Sequence, residues 1–138
     1  MNKYIDESIL KNAKVFEQRP WGTFRVVFAG QVGQEESVMK IITVFPGETL
    51  SEQKHNLRGE QWEILSGEAS ITLDGVNKTY VKGDIISFET ETWHRVGNTS
   101  ETENLVFFEI TNGQFDENDI ERKADKYNRD SEWTNNVV

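Results

Sequence analysis

The chain is short and acidic: 138 residues, with 24 Asp and Glu against 15 Lys and Arg and a formal net charge of −9. Its length suits one domain with a real core, while the charge excludes nucleic acid as an expected partner, because phosphate backbones need a basic counter-surface. With no cysteine there is no disulfide framework and no thiolate zinc site, and no apolar stretch is long enough to span a membrane.

Residues 1–18 are polar with apolar positions at Ile5, Ile9, Leu10 and Ala13, the pattern of a short N-terminal arm or helix. This segment lacks the apolar core of a secretory signal, so a reducing cytoplasm is the expected compartment. From Thr23 the pattern changes to short β-type runs, predicting strands over 23–29, 37–45, 51–56, 60–66, 69–73, 76–81, 85–88, 93–97 and 104–111. Asp74-Gly75 marks the clearest hairpin, since a tight turn needs positive φ and glycine supplies it cheaply. Pro46-Gly47 and Lys82-Gly83-Asp84 mark further turns. Many short strands at regular spacing favour an all-β sandwich or jelly roll over βαβ units. The main domain is placed at 19–130. After Gly113 the run Asp116 to Ala124 reads as a capped helix start, and residues 131–138 read as a mobile tail.

The only two histidines, His55 and His94, fall in a frame that can build one metal site. Gln53 and His55 are two apart on an expected strand and therefore share a face. Glu60 follows after a short loop and opens the hydrophobic run Trp62, Ile64, Leu65. His94 lies on a later strand that sheet pairing can bring alongside. Two imidazoles and two oxygen donors suit a borderline divalent ion rather than calcium. Zinc is the first choice, with Fe2+, Co2+, Mn2+ and Ni2+ as alternatives. Gln53 is the weakest donor of the four and alternatively orients a water beside the ion. Glu109, in the apolar run Leu105 to Ile110, either faces solvent or projects inward as a candidate base. Lys54, Arg58 and Arg95 flank the ligands. An anionic substrate entering so acidic a chain needs such local cations.

The stretches Gly47 to Gly67 and Gly83 to Asn98 resemble the paired motifs of the cupin superfamily, with Gln53 in place of the usual first histidine. The Gln53-x-His55 pair resembles the metal-binding pattern of phosphomannose isomerases. Further matches to the type II enzymes run through Arg19-Pro20-Trp21-Gly22, Ile42 to Gly47, Arg58, Glu60, Trp62, His94-Arg95, Asn98, Glu109-Ile110, Gly113, Asp119-Ile120, Arg122, Asp125, Tyr127 and Arg129. The resemblance implies a cupin jelly-roll barrel with Gln53, His55, Glu60 and His94 around one divalent ion. It also implies a cytoplasmic sugar-phosphate isomerase, most directly one interconverting mannose 6-phosphate and fructose 6-phosphate for polysaccharide precursors. In that family the domain often follows a nucleotidyltransferase, and this chain corresponds to the isomerase part. Arg58 stands at a matching position beside His55 and Glu60 and is the foremost phosphate ligand, with Lys54 and Arg95 next. The proton-transfer base stays open between a carboxylate and a hydroxide held by the ion. Related enzymes carry histidines where Asn56, Leu57 and Gln61 stand, and proline and glycine at Glu89 and Glu91. Those departures keep two other readings in view: a non-catalytic cupin that binds a sugar or sugar phosphate, and a cupin isomerase or epimerase for another activated sugar. Barrels of this size often associate through strand edges, so a homodimer is expected, with the segment Arg19 to Phe28 contributing.

Overall fold

A computed structural model describes residues 4–11, 13–116 and 118–124. Asp125, Tyr127, Arg129 and the 131–138 segment lie outside the described residues.

Helix α1 (Glu7–Leu10) opens the described chain. Asp6 caps it by accepting from the Ser8 N–H at 3.1 Å, and Lys11 ends it in the left-handed region at φ 52°. Its Ile9 and Leu10 are buried in the core. The rest is strand: β1 (Phe16–Arg19), β2 (Gly22–Val32), β3 (Glu35–Val44), β4 (Glu52–Lys54), β5 (Arg58–Ser66), β6 (Glu68–Leu73), β7 (Val76–Val81), β8 (Ile85–Phe88), β9 (His94–Asn98), β10 (Leu105–Gly113) and β11 (Glu121–Ala124). They form two sheets ordered β1-β2-β3-β10-β5-β8 and β11-β4-β9-β6-β7, and every strand pair in them is antiparallel. This is the jelly-roll arrangement of a cupin barrel. The Asp74-Gly75 turn has both φ values positive, at 45° and 84°, and joins β6 to β7 as expected.

The interior is segregated along the strands. Alternation sends every second residue of β3, β5 and β10 inward. At one end those residues are apolar: Val44 and Ile42, Ile64 and Trp62, Leu105 and Phe107. At the other they are polar: Lys40, Glu60 and Arg58, Glu109 and Thr111, all buried. Register aligns these ends, with Glu109 opposite both Lys40 and Trp62, and Thr111 opposite Glu60. Asn98 ties the sheets together, its Nδ2 donating to the carbonyls of Val44 (3.0 Å) and Glu103 (2.7 Å).

Two elements differ from expectation. Phe16–Arg19, expected as the end of the N-terminal arm and the first residue of the main domain, extends as β1 and pairs with Arg25 to Gly22 of β2. That half of the Arg19 to Phe28 segment is therefore covered, and the free edge there belongs to β1. The helix expected from Asp116 does not form in the described residues. Asp116 turns the chain by accepting from the Asn118 N–H through Oδ1 and the Asp119 N–H through its carbonyl. Glu121–Ala124 then pairs with β4. Short carboxylate side chains favour helix caps and turns for the same reason, their reach to nearby N–H groups, and here the edge of β4 decides between them.

Candidate metal centre

His55, Glu60 and His94 converge at the polar end of the barrel, with one ligand atom of each within 4.8 Å of the others. Three elements supply them. His55 follows β4, Glu60 is an inward residue of β5, and His94 begins β9, where it lies opposite Gln53 of β4. All three are buried.

Each side chain is held by a bond on the face away from the centre. His55 Nδ1 lies 2.7 Å from the Asp119 carbonyl and His94 Nδ1 3.1 Å from the Thr92 carbonyl. A carbonyl only accepts, so both Nδ1 atoms carry the proton and both Nε2 lone pairs face inward. Those Nε2 atoms stand 3.2 Å (His55) and 3.7 Å (His94) from Glu60 Oε2. The other carboxylate oxygen, Oε1, accepts from the Trp62 indole N–H at 2.9 Å. Two imidazole nitrogens and one carboxylate oxygen, oriented by outer hydrogen bonds, are the donor set of a transition-metal site. The residues present fit a divalent ion.

The electrostatics favour the ligating states. Burial alone would raise the Glu60 carboxyl, but His94, His55 and Arg58 outweigh it and hold the group well below the usual range. Burial pushes His94 down to about 4 against the opposing pull of Glu60. Near neutrality His94 is therefore uncharged, and the permanent guanidinium of Arg58, with Nε 3.9 Å from Glu60 Oε2, keeps Glu60 ionised. Glu109 moves the other way: burial first, then the Glu60 carboxylate, raise it to about 8.

A narrow cleft with a cavity volume of about 60 Å³ opens onto this centre. Gln53 lines it and donates through Nε2 to Ser51 Oγ at 2.8 Å, so its carbonyl oxygen is the atom that can join the donor set. Arg58, Arg95 and Glu109 line it too, which settles the inward face for Glu109. Arg58 stacks 4.5 Å from the Phe115 ring centroid, with Nη2 3.4 Å from His55 Nε2. Lys54 does not line the cleft. It pairs with Glu121 at 3.6 Å and lies over Trp93, because its inward neighbour Gln53 leaves it on the outer face.

Sequence reasoning missed two contributors. Lys40 lines the cleft from β3, and its place inside an alternating apolar run was the available signal. Asp119 clamps the turn after His55, its two carboxylate oxygens accepting from the Asn56 and Leu57 N–H groups at 2.9 and 2.8 Å. Nothing local in the sequence reveals a contact across more than sixty residues. Glu91 takes a left-handed φ of 66° and donates its N–H to the His55 carbonyl at 2.7 Å.

Residues 6–125 match the family described as mannose-6-phosphate isomerase C-terminal. The chain is 36% identical over 112 residues to a mannose-1-phosphate guanylyltransferase of Escherichia coli K12, covering 80% of this chain and 22% of that protein. It is 35% identical over 121 residues to the alginate biosynthesis protein AlgA of Pseudomonas aeruginosa, covering 87% and 24%. The chain thus spans less than a quarter of the length of these relatives. Among solved structures, a double-stranded β-helix protein from Klebsiella pneumoniae superposes with a TM-score of 0.61 at 19% identity, covering 77% of this chain and 87% of that one. A cupin-2 domain from Rhodospirillum rubrum gives 0.59 at 20%, covering 68% and 61%. Both likenesses concern the fold.

Proposed function

Because the chain belongs to the mannose-6-phosphate isomerase C-terminal family, we propose that it is a metal-dependent sugar-phosphate isomerase, interconverting mannose 6-phosphate and fructose 6-phosphate. The observation that carries this reading is the pairing of a buried His55–Glu60–His94 centre with a cleft lined by four cations, Lys40, Arg58, Arg95 and Arg122. In a chain of net charge −9, a concave site that gathers cations is suited to an anionic small molecule.

Aldose–ketose interconversion moves one proton between C1 and C2 while negative charge develops on the oxygens. A divalent ion, zinc by preference, when bound by His55, Glu60 and His94 with Gln53, supplies Lewis-acid polarisation of the sugar oxygens. Trp62 and Arg58 fix the Glu60 carboxylate from two sides, so the ligand set is organised before substrate arrives. The Arg58 guanidinium also carries positive charge to the oxygens that become anionic. Glu109, inside the cleft beside Glu60, is the carboxyl placed to exchange a proton with the sugar. Apolar walls from Trp21, Ile42 and Phe107 limit water at the reacting carbons.

A turnover screen of metal-loaded protein against hexose and heptose phosphates tests this reading. Interconversion of mannose 6-phosphate and fructose 6-phosphate supports it. Turnover of a different sugar phosphate moves the substrate and keeps the chemistry. A second reading, a non-catalytic sugar-phosphate-binding protein, is favoured by the exposed Leu57 and the left-handed Glu91 around the His55 segment. Tight binding without turnover of any sugar phosphate would establish it.

A further inference from the structure

Resting on the sugar-phosphate reading, we propose that Lys40 holds the phosphate of the substrate, while Arg58 serves the metal end of the cleft. Lys40 projects inward from β3 and is 8% exposed. Its ammonium lies between two aromatic faces, 4.6 Å from the Phe24 ring centroid and 5.1 Å from that of Phe115. Among the described residues no carboxylate stands within ion-pair distance of it, and no acceptor within hydrogen-bond distance. Its cross-strand neighbour Glu109 lies close enough to feel its charge but outside ion-pair distance.

An ammonium with three donors and no protein acceptor, set in the wall of a cleft, can pair with an anion that enters there. The Phe24 and Phe115 ring faces offer it only cation–π attraction. The missing partner is an anion with several acceptor oxygens, entering through the cleft that Lys40 lines. Arg58 is engaged differently. Its guanidinium is stacked on Phe115, with Nη1 3.5 Å from the Asp116 carbonyl, Nη2 3.4 Å from His55 and Nε 3.9 Å from Glu60. Those contacts fix it beside the metal ligands, where the reacting oxygens sit.

The strand order sets the separation. Lys40 is on β3 and Glu60 on β5, with β10 between them. Two strand spacings come to about 10 Å. That span suits a phosphorylated sugar, whose reacting carbonyl and phosphate lie at opposite ends of its carbon chain. Both cations pack on Phe115, Lys40 at 5.1 Å and Arg58 at 4.5 Å from its ring centroid.

Calorimetric titration of the metal-loaded protein with mannose 6-phosphate, mannose and inorganic phosphate, on the parent and on Lys40→Met, tests the assignment. The parent should bind mannose 6-phosphate more tightly than mannose. Lys40→Met should lose about 10- to 100-fold in affinity for mannose 6-phosphate and for phosphate, keep its affinity for mannose and retain its metal. Unchanged affinity for mannose 6-phosphate in Lys40→Met would overturn the assignment even if the parent turns over substrate. A Lys40-dependent affinity without turnover would uphold it and count against the isomerase reading alone. Absence of phosphate-dependent affinity in the parent would overturn it. If Lys40→Met does not fold, the Lys40 side-chain carbon resonance of lysine-labelled parent protein is followed instead. A shift on adding phosphate supports the proposal, and no shift overturns it.

Discussion

Replacing Trp62 by Phe removes one N–H donor from the metal centre while keeping an aromatic ring in the core. That donor holds Glu60 Oε1 at 2.9 Å, and both residues are buried, at 2% and 5% exposure. A hydrogen bond to a buried carboxylate contributes about 1.5–3 kcal/mol, and its loss leaves the oxygen unpaired. The smaller ring also leaves a void beside Phe88 and Phe107, both packed on the indole at about 5 Å. A few tens of cubic ångströms of such void adds roughly 1 kcal/mol. The metal-free variant should therefore unfold with about 2.5–4 kcal/mol less free energy in urea. Metal affinity, measured by competition with a chromophoric chelator, should fall about 10- to 100-fold, the usual consequence of losing an outer hydrogen bond to a ligand. A double-mutant cycle with Glu60→Gln in the metal-free protein isolates the pair, and its coupling should be about 1.5–3 kcal/mol. Coupling near zero together with an unchanged metal affinity would refute the idea that Trp62 orients Glu60.

Stability of the metal-free protein should fall from pH 6.5 to 8. Folded Glu109 keeps to about 8 a proton that its ordinary value of 4.5 would release, so its contribution is full below 4.5 and lost as pH rises through 8. The opposing effect of His94, which is lost as pH falls from 6.5 toward 4, does not reach that window. The expected slope is about 1 kcal/mol per pH unit, and Glu109→Gln should flatten it in thermal melts. Gly113→Ala should cost about 2–3 kcal/mol, because Gly113 sits at φ 115° and a Cβ there would meet the Leu57 carbonyl oxygen at 2.5 Å. Displacing the start of β5 should also weaken metal binding, and retained metal affinity would show that Arg58 and Glu60 tolerate the shift. Light scattering should give about 32 kDa, twice the 15.9 kDa chain, for a dimer formed through free sheet edges; a mass near one chain at micromolar concentration rejects it.

The strands were legible because β3, β5 and β10 alternate over most of their length and several turns carry Asp-Gly or other Gly-containing signals. His55, Glu60 and His94 were legible as one cluster because their spacing, together with the resemblance to the cupin motifs, put them in one frame. What escaped notice depends on contacts distant in sequence. β11 exists only because β4 offers an edge, and the same acidic residues in isolation favour a helix cap. Lys54 and Lys40 show the reverse error. Proximity to His55 in sequence recommended Lys54, yet alternation turned it outward. Lys40 is far from every ligand in sequence but is brought near by the β3–β10–β5 order. Asp119 was legible as an acid but not as the group that holds the His55 turn.

The central claim is that His55, Glu60 and His94 share one ion. An anomalous-difference map from zinc-loaded crystals, recorded at the zinc edge, tests it directly. One peak is expected, about 2.0–2.2 Å from the two Nε2 atoms and Glu60 Oε2, and it should vanish in His94→Ala. A fully loaded crystal whose peak lies elsewhere, or persists unchanged in His94→Ala, would contradict the shared centre and the function built on it.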